Sequence, residues 1–117
     1  MARIGSNREL IIVETWEDAE DPQPWQGVLD ATSGKPQCYQ SPCLFPIDCK
    51  AEMSEDCLYL NIYAPLDAGP DTKKAVMVFI HGGSFTSGVS DGPIYSAENL
   101  ASLGDVIIVT INYRLGN

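Results

Sequence analysis

A chain of 117 residues has room for one small domain at most, and 44% hydrophobic with 20% charged residues is the balance of a folded globular sequence, not of a disordered or fibrous one. The formal net charge of −9 speaks against nucleic acid and anionic lipid surfaces as partners, since both are bound through clustered Lys and Arg. No apolar run approaches the ~20 residues of a membrane-spanning helix.

Residues 1–30 show no sustained periodicity. Leu10, Ile11, Ile12 and Val13 predict a short strand, and Pro22 and Pro24 break the chain beyond it. The acids that dominate this end, among them Glu14, Glu17, Asp18, Glu20 and Asp21, read as a solvated negative face; a funnel for a cationic substrate is the narrower alternative. Residues 37–54 carry Pro42 and Pro46 with little apolar alternation and are expected to form a long loop. Cys38, Cys43, Cys49 and Cys57 crowd around it, a density more usual in secreted proteins, whereas Leu10 to Val13 is too short for the apolar centre of an export signal. Localisation is therefore left open.

From Leu58 the chain alternates: Leu58, Leu60 and Ile62 on one face, Tyr59, Asn61 and Tyr63 on the other, until Pro65 stops it. That is the period of a strand. Residues 75–80 are apolar throughout and 106–111 apolar but for Thr110, both rich in Val and Ile, which predicts two strands covered on both faces, as in a parallel sheet. Between them Ser96 is the expected helix N-cap, Glu98 falls in the first turn, Ala97, Leu100, Ala101 and Leu103 supply apolar positions, and Gly104 closes the helix. The unit reads strand, loop, short helix, strand, an α/β arrangement whose ligand sites sit at the carboxyl ends of the strands.

The loop at that end begins "HGGSFTSG". Gly82 and Gly83 let the backbone approach a ligand and take angles closed to other residues, so that successive N–H groups can converge on one oxyanion. Donors fixed in this way stabilise the tetrahedral intermediate of acyl transfer, and losing one costs roughly 3 to 4 kcal/mol of barrier. His-Gly-Gly alone would equally describe a tight turn.

Its neighbours decide. "SEDCLYLNIYAP" at residues 54–65, "VMVFIHGGSFTSG" at 76–88 and "VIIVTINYRLG" at 106–116 together resemble the type-B carboxylesterase and cholinesterase family, with "PWQGVLDAT" at 24–32 and "CYQ" at 38–40 adding to the match. The resemblance covers residues 18–117 and leaves 1–17 as a divergent N-terminal segment. It implies a partial α/β-hydrolase fold, the N-terminal strands of a mostly parallel central sheet, and hydrolysis of small-molecule carboxylic esters by a serine nucleophile, a histidine base and an acidic partner, with no cofactor. By motif, the oxyanion donors would be the N–H groups of Gly83 and Ser84, with Gly82 shaping the loop; Ser84 stands where the family usually has a third glycine. His81 opens the motif and is given a loop-holding role, not that of the base. The resemblance also pairs Cys38 with Cys57 in a disulfide, and leaves Cys43 and Cys49 unassigned. No metal is expected, the single histidine lying far from the cysteines in sequence.

The family's G-x-S-x-G nucleophile elbow would lie after the strand that follows "NYRLG", so residues 1–117 are expected to carry the oxyanion loop without the triad and to show no esterase turnover by themselves. In the family's sheet the strand ending at Ile80 has a neighbour on each side, of which only the strand at 106–111 is present; an exposed edge and marginal stability are expected. The alternative from another class is a cholinesterase-like adhesion or binding protein that keeps the fold without the chemistry, and a third is a fragment that binds acyl ligands unreactively.

Overall fold

The alternating run and the two Val/Ile-rich runs become neighbours in one sheet. In a computed structural model, which describes residues 2–4, 21–22, 24–40, 52–92 and 95–116, the elements are β1 (Ala2–Ile4), β2 (Leu60–Ala64), β3 (Val76–Ile80), α1 (Glu98–Gly104) and β4 (Ile107–Ile111), with the strands ordered β1-β2-β4-β3. The expected parallel pairing joins β3 to β4 over Val76↔Ile107 to Ile80↔Ile111. The other two pairings, β1 with β2 and β2 with β4, are antiparallel. The strand expected at Leu10 to Val13 lies outside the described residues, as do Cys43 and Cys49.

This order brings three loops to one edge. Parallel β3 and β4 both finish there, and antiparallel β2 begins there, opposite the end of β4 at Leu60↔Ile111. The segments 54–59, 81–90 and 112–116 consequently meet, and that meeting point is where the family resemblance puts the chemistry.

β2 starts two residues later than Leu58. The reason is local: Cys57 N–H donates to Glu55 O at 3.0 Å and Tyr59 N–H to Cys57 O at 2.8 Å, so tight turns hold these residues before the ladder begins. The face carrying Tyr59 and Tyr63 is the buried one, with Tyr63 2% exposed beneath Ala97, Ala101 and Ile108 of the core cluster. Each large apolar side chain so covered contributes about 1.5 to 3 kcal/mol.

β3 is the edge strand that the missing neighbour predicts, and it lacks the cover that its apolar run alone predicts. Every residue of Val76–Ile80 is exposed, Val78 at 60% and Ile80 at 63%, where cover on both faces was expected. α1 packs on β2 and β4 and does not reach β3, which forms the sheet's edge and touches β4 alone among the elements. Apart from Phe79, whose ring meets that of Tyr95 at 5.4 Å, the strand's apolar side chains are thus left largely uncovered by the described residues, and the hollow of about 260 Å³ between β3 and α1, lined by Met77, Phe79, Tyr95 and Leu100, is apolar for the same reason.

The helix is where the sequence puts it, but its cap is not Ser96. Ala97 occupies the N-cap position without any side-chain hydrogen bond, and its carbonyl accepts from Ala101 N at 2.9 Å. Burial decides this register: Ala97 and Ala101, 8% and 0% exposed, must both face Tyr63 and Ile108, and that outweighs the roughly 1 kcal/mol a hydroxyl cap supplies. At the other end Asp105 takes the left-handed conformation at φ 52°, which Asp tolerates better than most side chains.

Asp105 also accepts from Lys74 Nζ at 2.6 Å, while Asp67 accepts from the same ammonium at 2.9 Å. Lys74 thereby ties the β2–β3 turn and the end of α1 to the start of β3. Its hydrogen bonds to Asp105 and then Asp67 raise its pKa above the ordinary 10.5, and the bond from Lys74 lowers that of Asp67 below 3.8. Asp67's contribution to stability is complete above pH 3.8 and is lost as pH falls through its lowered value; Lys74's is complete below pH 10.5 and is lost as pH rises through its raised value. Urea midpoints measured across pH should therefore fall off at both extremes, and in Lys74→Met the part of the loss above pH 10.5 should disappear.

Candidate functional site

The loop after β3 is built from backbone angles that few residues accept. Gly83 has φ 129°, Ser84 54°, Phe85 62° and Gly88 130°. Such a cluster of positive φ values has to be held by its surroundings, and here four donors hold it: Thr86 N and Ser87 N at 3.0 and 3.1 Å, Thr86 Oγ1 at 3.2 Å and Ser87 Oγ at 3.4 Å, all on the Gly83 carbonyl. By contrast, no acceptor among the described residues engages the N–H groups of Gly83 or Ser84. A loop that spends four donors on one carbonyl and leaves the adjoining amides available is suited to an external anion.

Glycine is required at 83 for a second reason. A Cβ there would fall on the Ser87 carbonyl, and one at Gly88 would fall on the His81 ring and the Gly82 carbonyl, whereas one at Gly82 would meet nothing within 4 Å. Gly82 is exposed, with open space where a side chain would go. Ser84, also exposed, occupies a conformation that costs a residue with a Cβ roughly 1 to 2 kcal/mol. Ser84→Gly is expected to raise the unfolding free energy by about 0.5 to 1 kcal/mol, the strain relieved outweighing the extra freedom of glycine in the unfolded chain; chemical denaturation of the two chains side by side reads it.

His81 is 3% exposed and its ring Nδ1 lies 2.9 Å from Gly82 O. A carbonyl can only accept, so the proton sits on Nδ1 and is donated there. The ring stacks on Tyr113 at 4.4 Å and 16°, and Tyr113 OH donates to His81 O at 2.9 Å. Tyr113 also meets Phe85 edge-on at 6.3 Å, and Gly116 N–H donates to Phe85 O at 2.8 Å. The segment after β4 therefore braces both ends of the loop. Phe85 itself is 75% exposed beside the free amides.

Cys38 and Cys57 form a disulfide that closes 19 residues of chain, both cysteines being buried. Around it Gln37 makes a parallel bridge with Met53, donating to Glu52 O at 2.9 Å and accepting from Ser54 N at 3.0 Å. Asn112 joins this corner to the loop: its Oδ1 accepts from Ser90 N at 2.8 Å, and its Nδ2 donates to Cys57 O at 3.0 Å and to Pro36 O at 3.4 Å. Asn112, Tyr113, Gln40 and Gly88 carry much of this architecture, and the sequence does not mark them as loop-holding residues; their partners lie far away along the chain, and no local period announces them. Among the described residues no three His, Cys, Asp or Glu side chains are grouped to hold a metal, and no helix is long and apolar enough to cross a membrane.

The model of the carboxylesterase family matches residues 14–117. Among curated proteins, para-nitrobenzyl esterase of Bacillus subtilis (strain 168) is 44% identical over 99 residues, 83% of this chain and 20% of that protein. The cAMP-regulated D2 protein of Dictyostelium discoideum is 44% identical over 102 residues, 86% of this chain and 19% of its own, and Acetylcholinesterase-1 of Trittame loki is 45% identical over 102 residues, 80% and 18%. Among solved structures, a thermophilic PNB esterase superposes with a TM-score of 0.74 at 46% identity over 84% of this chain and 20% of that one. The chain thus spans about a fifth of the length of the proteins it matches.

Proposed function

The chain belongs to the carboxylesterase family, and from that premise we propose that it supplies the oxyanion-binding loop of a serine-type hydrolase of small carboxylic esters. Its four strands are part of an α/β-hydrolase fold. The observation that carries the reading is the pair of N–H groups of Gly83 and Ser84 that no described residue engages, at the carboxyl end of β3 in a loop held by the Gly83 carbonyl.

In this mechanism a serine attacks the ester carbonyl, whose oxygen becomes negative as the carbon turns tetrahedral. The two amides donate hydrogen bonds to that oxygen from where they stand, without rearranging, and so lower the barrier to forming and to breaking the acyl-enzyme. Neither nucleophile nor base is credited to residues 1–117: Ser90 of Gly88-Val89-Ser90-Asp91-Gly92 is 2% exposed, its Oγ accepts from Asn61 Nδ2 at 3.2 Å, and it lies within the loop between β3 and α1, not on a sharp strand-to-helix turn, while the ring of the one histidine is committed to Gly82 O and Tyr113. A serine without a base keeps its proton, so Ser84, Ser87 and Ser90 are not credited with the attack.

Reading the transcript beyond Asn117 and assaying the two products tests this. A Gly-x-Ser-x-Gly block is expected some tens of residues on, with the longer product hydrolysing a p-nitrophenyl ester and the 117-residue polypeptide alone at the buffer rate. A reading frame with another residue at the serine position would turn the protein into a cholinesterase-like binding module. Turnover by the 117-residue chain that disappears with any one of its serines would place the nucleophile within it and defeat the proposal.

A further inference from the structure

One side chain reaches the loop from the disulfide corner. Gln40 Oε1 accepts from Gly88 N at 2.9 Å, and Gln40 Nε2 donates to Gly88 O at 3.0 Å, across 48 residues of sequence. A primary amide offers a donor and an acceptor side by side whatever the pH, so Gln40 satisfies both backbone groups of Gly88 as a neighbouring strand would. Its second Nε2 proton faces Gln37 Oε1 at 3.2 Å and Cys38 O at 3.3 Å. Gln37 is 1% exposed and Cys38 is bonded to Cys57, so the base from which Gln40 reaches is rigid.

Gly88 passes the constraint on. Its backbone lies so close to the His81 ring and Gly82 O that a Cβ would overlap both. His81 Nδ1–H is in turn bonded to Gly82 O, one residue before the Gly83 amide. We propose that Gln40 is a positioning residue of the oxyanion loop, holding Gly88 so that His81 and the turn at Gly83 keep their places; the catalytic consequence rests on the hydrolase reading above. Only glutamine meets the requirement. Asparagine is a methylene short, methionine has neither donor nor acceptor, and an ionised glutamate would turn a negative oxygen toward Gly88 O.

Amide hydrogen exchange of the 117-residue chain tests the geometry without any turnover. In Gln40→Met the Gly88 amide, deprived of its acceptor, should exchange about tenfold faster. The deciding amides are Thr86 and Ser87, which bond to Gly83 O and not to Gln40; they should accelerate severalfold while Ile108 in β4 does not. Acceleration confined to Gly88 would reduce Gln40 to a local cap and overturn the proposal. Gln40→Glu guards against a methionine variant that loses its fold: compared with wild type at each pH, it should protect Thr86 and Ser87 when the carboxyl is protonated and donates to Gly88 O, and release them when it ionises. Equal protection ratios at both pH values would also overturn it. In the longer esterase Gln40→Met should lower kcat about tenfold with KM unchanged, because the amides act in the transition state. Accelerated Thr86 and Ser87 exchange beside an unaltered kcat would leave the positioning intact and sink the oxyanion reading instead.

Discussion

Gly83→Ala should unfold the loop while Gly82→Ala, one residue away, does almost nothing. At position 83 the new methyl would overlap the Ser87 carbonyl and the residue would have to hold φ 129°, two demands that an L side chain cannot meet together. The loop must open, giving up the bonds from Thr86 and Ser87 to Gly83 O. The expected cost is about 2 kcal/mol or more in urea denaturation, up to the free energy of opening the loop locally, after which the rest of the chain no longer feels the substitution. A Cβ at Gly82 would meet nothing within 4 Å, so its alanine variant should stay within about 0.5 kcal/mol of wild type. In an active protein containing this chain, Gly83→Ala should also cost on the order of a hundredfold in kcat, the scale of a displaced oxyanion donor.

Opening the disulfide should cost still more. In the chain-entropy account, closing a loop of 19 residues constrains the unfolded chain by about 3 kcal/mol. The described core that remains is small, its buried cluster being Tyr63, Ala97, Ala101 and Ile108. A loss of about 3 kcal/mol is a large part of what such a core supplies. Cys38→Ala with Cys57→Ala, or wild type under a dithiol reductant, should therefore bring the urea midpoint close to zero and broaden the transition. A reduced chain with an unchanged midpoint would mean that Gln37, Asn112 and the bridge to Met53 fasten the corner without it.

The elements whose side chains have a period are readable from the sequence. Leu58 to Tyr63 alternates, the two Val/Ile-rich runs are too short for helices and too apolar for loops, and the Ala97/Ala101 spacing marks one helical face; all four are elements of the fold, with boundaries shifted by one or two residues. β1, three residues long, is too short to show any period. Ser96 has the chemistry of a cap, yet caps are settled by which residues must be buried, and that depends on Tyr63, more than thirty positions earlier. The exposure of β3 is not legible in its residues, because an apolar run reports what a strand is suited to, while its surroundings report what covers it. At the site, the glycines and His81 stand out because the chain concentrates them in one loop. Gln40 and Asn112 do not stand out as loop supports, since their bonds run to backbone atoms 48 and 22 residues away.

The four donors on the Gly83 carbonyl have an effect one atom further along. That oxygen and the hydrogen of Ser84 N belong to a single planar trans peptide and point in opposite directions, so whatever pins the one aims the other. Each donor also draws electron density toward the oxygen, leaving the amide hydrogen more positive, by about 10 to 30% in bond strength per link of such a relay. The Ser84 amide is therefore both fixed in direction and made a stronger donor by Thr86 and Ser87, and a serine at 84 keeps the same peptide N–H that a glycine there would have.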